Sequence, residues 1–291
     1  MGTKDGRGKP PSRDPIAPEA SGRFPVARRV DPSPTTTDAP TPTPAPTADR
    51  PIGRRARSAT ACLERALAAK TPAARTKAAR EGLVGVCDIE TQALLLRQLY
   101  LGELEGGHFE RAKQVAEQLV ELGTMPDVAR HDAARACQAL GRVEEAIAHL
   151  REAVKLAPDA RVSFHLSTLG ALLYAAGHAD EARVPLEAAI ATSGAAQPLV
   201  RGQLALAKHA SGDDTAELDL AFHELQHDRA GEGYGRFVLG ELAFARGDRR
   251  AAQIYLEAFL AKVRRARPAA RAALAPEVAR AESTLGRIAW N

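Results

Sequence analysis

Five glycines recur along the chain at almost constant spacing. Gly107, Gly141, Gly177, Gly212 and Gly247 follow one another at steps of 34, 36, 35 and 35 residues. Each stands between two stretches of helix formers, as in ARACQALGRVEEA and FVLGELAFARGDRRAA. Glycine supplies the left-handed backbone that ends one helix and turns the chain into the next. Five residues beyond four of these glycines stands a small alanine, Ala112, Ala146, Ala182 and Ala252, which lets the second helix close on the first. A unit of this length cannot bury its apolar face alone, so consecutive units must stack. Aromatic content is low and no run of alternating β-branched residues occurs, which leaves little room for strands. The fold expected is all-α, a solenoid of helix–turn–helix repeats with about 13 helices.

The period and its positions resemble the tetratricopeptide repeat, a 34-residue helix–turn–helix unit. The third repeat carries the resemblance best, with Leu166, Leu169, Gly170, Leu173, Ala182 and Ala189 at signature positions. The second matches through Ala146, Ala153 and Pro158, the fifth through Gly240, Gly247 and Ala252. The fourth departs, because Glu217 stands where alanine belongs and Ala216 comes one residue early. Its second helix is therefore expected to be rotated or weakly packed.

The chain divides accordingly. Of 19 prolines, 12 precede residue 52, and PSPTTTDAPTPTPAPTADRP is low in complexity. Residues 1–57 are expected to form a disordered, basic Pro/Thr/Ala-rich arm, with Thr41 and Thr43 as Thr-Pro sites and Arg54, Arg55 and Arg57 as a basic cluster. Residues 58–90 read as a degenerate helix pair, with Thr71 as N-cap and Pro72 at the first helical position. Five repeats occupy 91–266. Residues 267–291 form a capping helix, with Trp290 expected to pack onto the last repeat.

Charge narrows the function. Residues 1–57 hold 11 Lys/Arg against 6 Asp/Glu, and the remaining 234 hold 29 against 30. The helical part is neutral, so no nucleic-acid-binding body is indicated. No apolar stretch approaches the ~20 residues of a membrane span, and the N-terminus lacks the apolar core of a secretory signal. Cys62, Cys87 and Cys137 are odd in number and without CxxC spacing, which suits a reducing cytoplasm. No phosphate loop, dinucleotide fingerprint or other cofactor motif occurs.

One stretch speaks for an enzyme. Residues 223–227 read HELQH, the H-E-x-x-H pattern that gives a zinc peptidase two imidazole ligands and a glutamate base. On a helix, Leu218, Ala221, Phe222 and Leu225 form an apolar stripe, and His223, Glu224 and His227 lie roughly 110–170° away, on the polar face that Leu220 interrupts. Asp228 and Arg229 follow where an uncharged and an apolar residue are usual, and Ala230 and Gly233 occupy the positions of the extended motif's glycine and third histidine. Glu241 is the nearest candidate for a third ligand. A catalytic zinc needs three protein ligands and an open position.

The resemblance implies a non-enzymatic adaptor that binds a peptide or helix in a groove lined by the first helix of each repeat. The implied groove residues are Arg97, Leu101 and Leu104, then His131, Arg135 and Gln138, then Phe164, Ala171 and Tyr174. The fourth repeat adds Leu206 and His209, and the fifth adds Tyr234, Phe237, Glu241 and Phe244. For each aromatic the alternative is packing between repeats. Repeats that clamp a terminal carboxylate share a Lys/Asn/Arg pattern; here Leu101, Asp132, Phe164 and Thr168 occupy most of its positions. The rival readings are a self-assembling subunit whose groove holds its own arm or a neighbouring copy, and a zinc peptidase using His223, Glu224 and His227.

Overall fold

A computed structural model describes residues 52–193, 197–213 and 216–290. Among them are fourteen α-helices and no strand. An opening pair, α1 (Ile52–Leu67) and α2 (Pro72–Leu83), precedes five pairs: α3 (Ile89–Glu105) with α4 (Phe109–Leu122), α5 (Pro126–Ala139) with α6 (Val143–Leu156), α7 (Asp159–Ala175) with α8 (Ala179–Ser193), α9 (Pro198–Ala210) with α10 (Ala216–Gln226), and α11 (Gly235–Ala245) with α12 (Arg249–Arg264). The chain closes with α13 (Pro268–Ala273) and α14 (Ala275–Ala289). The arm expected over residues 1–57 lies outside the described residues except at its end, where α1 already begins at Ile52.

The five spaced glycines do one job. All have positive φ, from 74° at Gly141 to 94° at Gly177. The amide after each glycine reaches back across the turn: His108 to the Glu103 carbonyl, Arg142 to Cys137, His178 to Leu173, Asp213 to Lys208 and Asp248 to Ala243, all at 2.9–3.0 Å. That bond satisfies a carbonyl the helix end would leave open. Side chains mark the starts. Thr71 accepts from the Ala74 amide, with Pro72 opening α2; Asp88 accepts from Thr91 and Asp248 from Ala251.

The small alanines Ala112, Ala146, Ala182 and Ala252 are fully buried. The irregular fourth pair still packs, since Leu218, Ala221, Phe222 and Leu225 of α10 are all buried. Its odd residue Glu217 stays exposed and pairs with Lys208 at 3.0 Å. One core runs from Ala134 to Ala281, and a second spans α1 to α5.

The C-terminus differs from expectation in two ways. The segment after α12 is two helices, because the backbone breaks at Leu274 (φ −104°, ψ 15°), which makes the count fourteen instead of about thirteen. Trp290 does not pack onto the last repeat: it is 91% exposed, one residue past the end of α14.

Two helical glycines test the packing. A Cβ at Gly240 would meet Leu256 Cγ and Cδ2 at 2.5 Å, whereas one at Gly286 meets nothing within 4 Å. Overpacking a core costs about 1–3 kcal/mol, while alanine in an open helix gains roughly 0.5–1 kcal/mol. Gly240→Ala should therefore lower the urea midpoint and Gly286→Ala raise it.

Candidate functional site

The first helices of the pairs, α3, α5, α7, α9 and α11, contribute to one face. After α12 the chain turns back across it. α13 packs on α3 and α5, and α14 packs on α7, α11 and α12. Two short helices, together about 32 Å long, thus touch four of the five pairs. α14 covers the C-terminal half of the face, while towards the N-terminal end Phe164 of α7 is exposed and Arg97, His131 and Arg135 are half-buried.

In the covered half, Glu241 is buried, 5% exposed. Its cation comes from α14, where Arg280 Nε donates to Oε2 at 2.8 Å. Thr284 donates to the other oxygen at 2.7 Å, and the Tyr174 hydroxyl donates to Oε2 at 3.2 Å. Arg280 also donates to the Tyr174 hydroxyl at 2.8 Å and backbone carbonyl at 3.2 Å, with its guanidinium over that ring. Burial and the neighbouring Glu241 raise the Tyr174 phenol, so it stays protonated. Arg287 lies 4.6 Å over the Phe244 ring. A cavity of about 350 Å³ remains between α7, α9, α11 and α14, lined among others by Leu206, His209, Phe244 and the two arginines.

One group on α14 is poorly matched. Glu277 is 4% exposed; its Oε1 accepts from the Tyr234 hydroxyl at 3.4 Å, and Oε2 has no partner. Burial pushes its carboxyl up to about 7, against the pull of its own backbone amide and Tyr234.

The open half is held by carboxylates beneath it. Asp127 takes two bonds from Arg161, at 2.7 and 2.9 Å, and one from His165 Nε2 at 3.1 Å. Burial alone would raise this carboxyl, but Arg161 and His165 outweigh it and lower it. His165 Nδ1 meets His131 Nδ1 at 3.3 Å. Burial, with Arg135, His165 and Arg97 nearby, pushes His131 down to about 3, and burial also lowers His165. Both rings are then neutral at pH 7: His165 carries its proton on Nε2 and accepts from His131 Nδ1–H. Arg97 reaches Asp132 at 3.4 Å. On top sits Phe164, 46% exposed, 5.0 Å from the His131 ring.

Residues 129–160, which cover most of α5 and all of α6, match the tetratricopeptide repeat family. The second pair therefore carries a tetratricopeptide repeat. Among solved structures the chain is similar to a putative kinesin light chain of Podosopora anserina with nearly identical TPR-like repeats, at 23% identity over 61% of this chain and 97% of that one, with a TM-score of 0.41. No curated protein matches the sequence.

Across the shared face the expected groove residues separate by depth. Arg97, Leu101, His131, Arg135, Ala171, His209, Tyr234 and Phe244 are half-buried, and Phe164 is exposed. Leu104, Gln138, Tyr174, Leu206 and Glu241 are buried. Phe237 is 1% exposed and packs on the Tyr234 and Phe259 rings of its own pair. The residues missed by sequence reasoning are Glu277, Arg280, Thr284 and Arg287, whose spacing on one helix face was the available signal.

HELQH lies on α10 with both histidines exposed, their rings 6.4 Å apart. His227 Nδ1 bonds the His223 carbonyl, and Glu224, the would-be base, is held by Arg201 at 3.1 Å. Glu241 is taken up by Arg280 and Thr284. Among the described residues no group of three or more His, Cys, Asp or Glu is arranged to hold a metal. Nor is any helix there long and apolar enough to cross a membrane.

Glu277 makes the fold sensitive to pH. Its folded carboxyl sits near 7 against an ordinary 4.5, so the fold keeps a proton that the unfolded chain has already lost. Stability from this group is therefore full below pH 4.5, falls as pH rises towards 7 and levels off above it. Between pH 5.5 and 8 the wild type should lose about 2 kcal/mol more than Glu277→Gln, measured by urea unfolding at both pH values.

Proposed function

We propose that this protein is a non-enzymatic adaptor that captures an extended peptide or a helix of a protein partner on the open half of the shared face. The observation that supports this most is the exposed Phe164 ring set on neutral His131, with Arg97 and Arg135 nearby. Aromatic and arginine side chains held in place from below are the usual anchors of an interface. Asp127, Asp132, Arg161 and His165 fix that platform, so little side-chain freedom is lost when a partner binds. The expected partner segment offers an apolar side chain to Phe164 and acidic groups to the arginines. The free cysteines Cys62, Cys87 and Cys137 suit a reducing cytoplasm.

The test is affinity capture with the full chain and with an Arg135→Glu, Phe164→Ala variant of matched helicity. Loss of two anchors should reduce the captured partner by about tenfold or more. Undiminished capture by the variant would remove the open half as the binding surface. A zinc peptidase, in contrast, would depend on Glu224 as its base. Purified protein incubated with zinc and a casein substrate is expected to show no proteolysis that Glu224→Gln abolishes.

A further inference from the structure

The covered half has a chemistry that a simple end cap does not need. The apolar residues Val278, Ala281, Leu285 and Ile288 of α14 pack against the main core, and they would be enough to close the stack. Beside them the helix also brings Arg280 to buried Glu241 and Tyr174, and Arg287 to Phe244. A buried carboxylate that loses its only cation is strongly penalised, so whatever occupies this seat must bring a cation to the same place.

The chain's own helix fits the seat imperfectly. Glu277 is buried there with one oxygen unpartnered. The groups that face it are the Tyr234 phenol at the start of α11 and, behind that, Gln203 of α9, which donates to the same hydroxyl at 3.3 Å. Arg280, one turn along α14, is turned to Glu241 and to Tyr174 of α7. Lys262 of α12 has its Nζ beside Gly233. α13, which joins α12 through Arg265–Arg267, has no fully buried residue.

We propose that the seat of α14 is a second docking site, held in cis by this chain and open in trans to a partner helix with two arginines seven residues apart and an uncharged residue three positions before the first. Such a helix reproduces the contacts of Arg280 and Arg287 and leaves out the buried carboxylate of Glu277. It therefore displaces α14, most readily once Glu277 ionises. The site is independent of the open half and of the function assigned to it.

The test uses the full-length protein and a fluorescent peptide with the sequence of residues 275–289 carrying Glu277→Gln. Anisotropy should show saturable one-to-one binding that tightens about tenfold from pH 6 to pH 8, the range in which the carboxyl of the resident helix, near 7 instead of 4.5, loosens its docking. Arg280→Ala in the peptide should weaken binding at least tenfold, and Glu277→Gln in the protein should weaken it by strengthening the resident helix. Arg135→Glu in the protein should leave it unchanged, which separates this site from the open half. The proposal fails if no saturable binding occurs at either pH and hydrogen exchange shows α14 equally protected at both, for then the helix is a permanent cap. It fails too if binding survives Arg280→Ala. If the unmodified peptide binds equally well at pH 8 and the protein dimerises in sedimentation, the occupant is a second copy and the partner assignment is wrong.

Discussion

The hydrogen bond that crosses each left-handed glycine fixes everything built on it. It recurs five times with nearly one length, so each helix pair closes through the same turn. Because the turn is constant, the small alanines fall at the contact between helices and the first helices of the pairs come to share a face. No other single element could set that face, since each pair buries too little alone to hold an orientation.

The period returns in the side chains. Arg161 and Asp127 are 34 residues apart, as are His165 and His131, and Arg97 and Asp132 are 35 apart. Each pair joins equivalent places on neighbouring repeats, which turns the repeat length into a ladder of polar contacts along the shared face. The two buried carboxylates of α5, Asp127 and Asp132, are thus answered by the next and by the previous repeat. The ladder ends at Glu241. There the cation arrives from α14, 39 residues on. The same arginine reaches Tyr174 across 106 residues. The C-terminal helix takes the place of a neighbouring repeat in the charge pattern and closes the face in doing so.

The parts of the fold that follow from local rules were legible in the sequence. The turn glycines, the Thr71 and Pro72 helix start, the buried alanines and the Leu218–Leu225 stripe all depend on neighbours within a few residues or one repeat. The polar placement of His223, Glu224 and His227 followed from helical geometry alone, and it explains why HELQH is a surface feature. Trp290 and α14 were not legible, because their positions depend on where a terminal segment meets a surface assembled from distant repeats. Phe237 and Phe164 show the same limit. Both are aromatics at face positions, yet one is wedged against Phe259 and the other stands open, and only the local depth of the face decides between them. Glu277, Arg280, Thr284 and Arg287 lie at helical spacing on α14, but an outward-looking polar stripe at a chain end has the same pattern.

Two glutamates give the covered half its asymmetry. Glu241 and Glu277 are both buried beside α14, and they differ in what surrounds them. Glu241 belongs to the body of the solenoid and has a guanidinium and two hydroxyls, so its charge holds the helix down. Glu277 belongs to the helix and has one distant phenol, so its charge works against docking. The attraction is concentrated along Arg280, Thr284 and Arg287, and the penalty sits one turn earlier, next to the short α12–α13 connection. Opening from that end relieves the unmatched carboxylate before any bond to Glu241 is broken. The weak end of the helix is thus the end next to its hinge, and its strong contacts are the last to part.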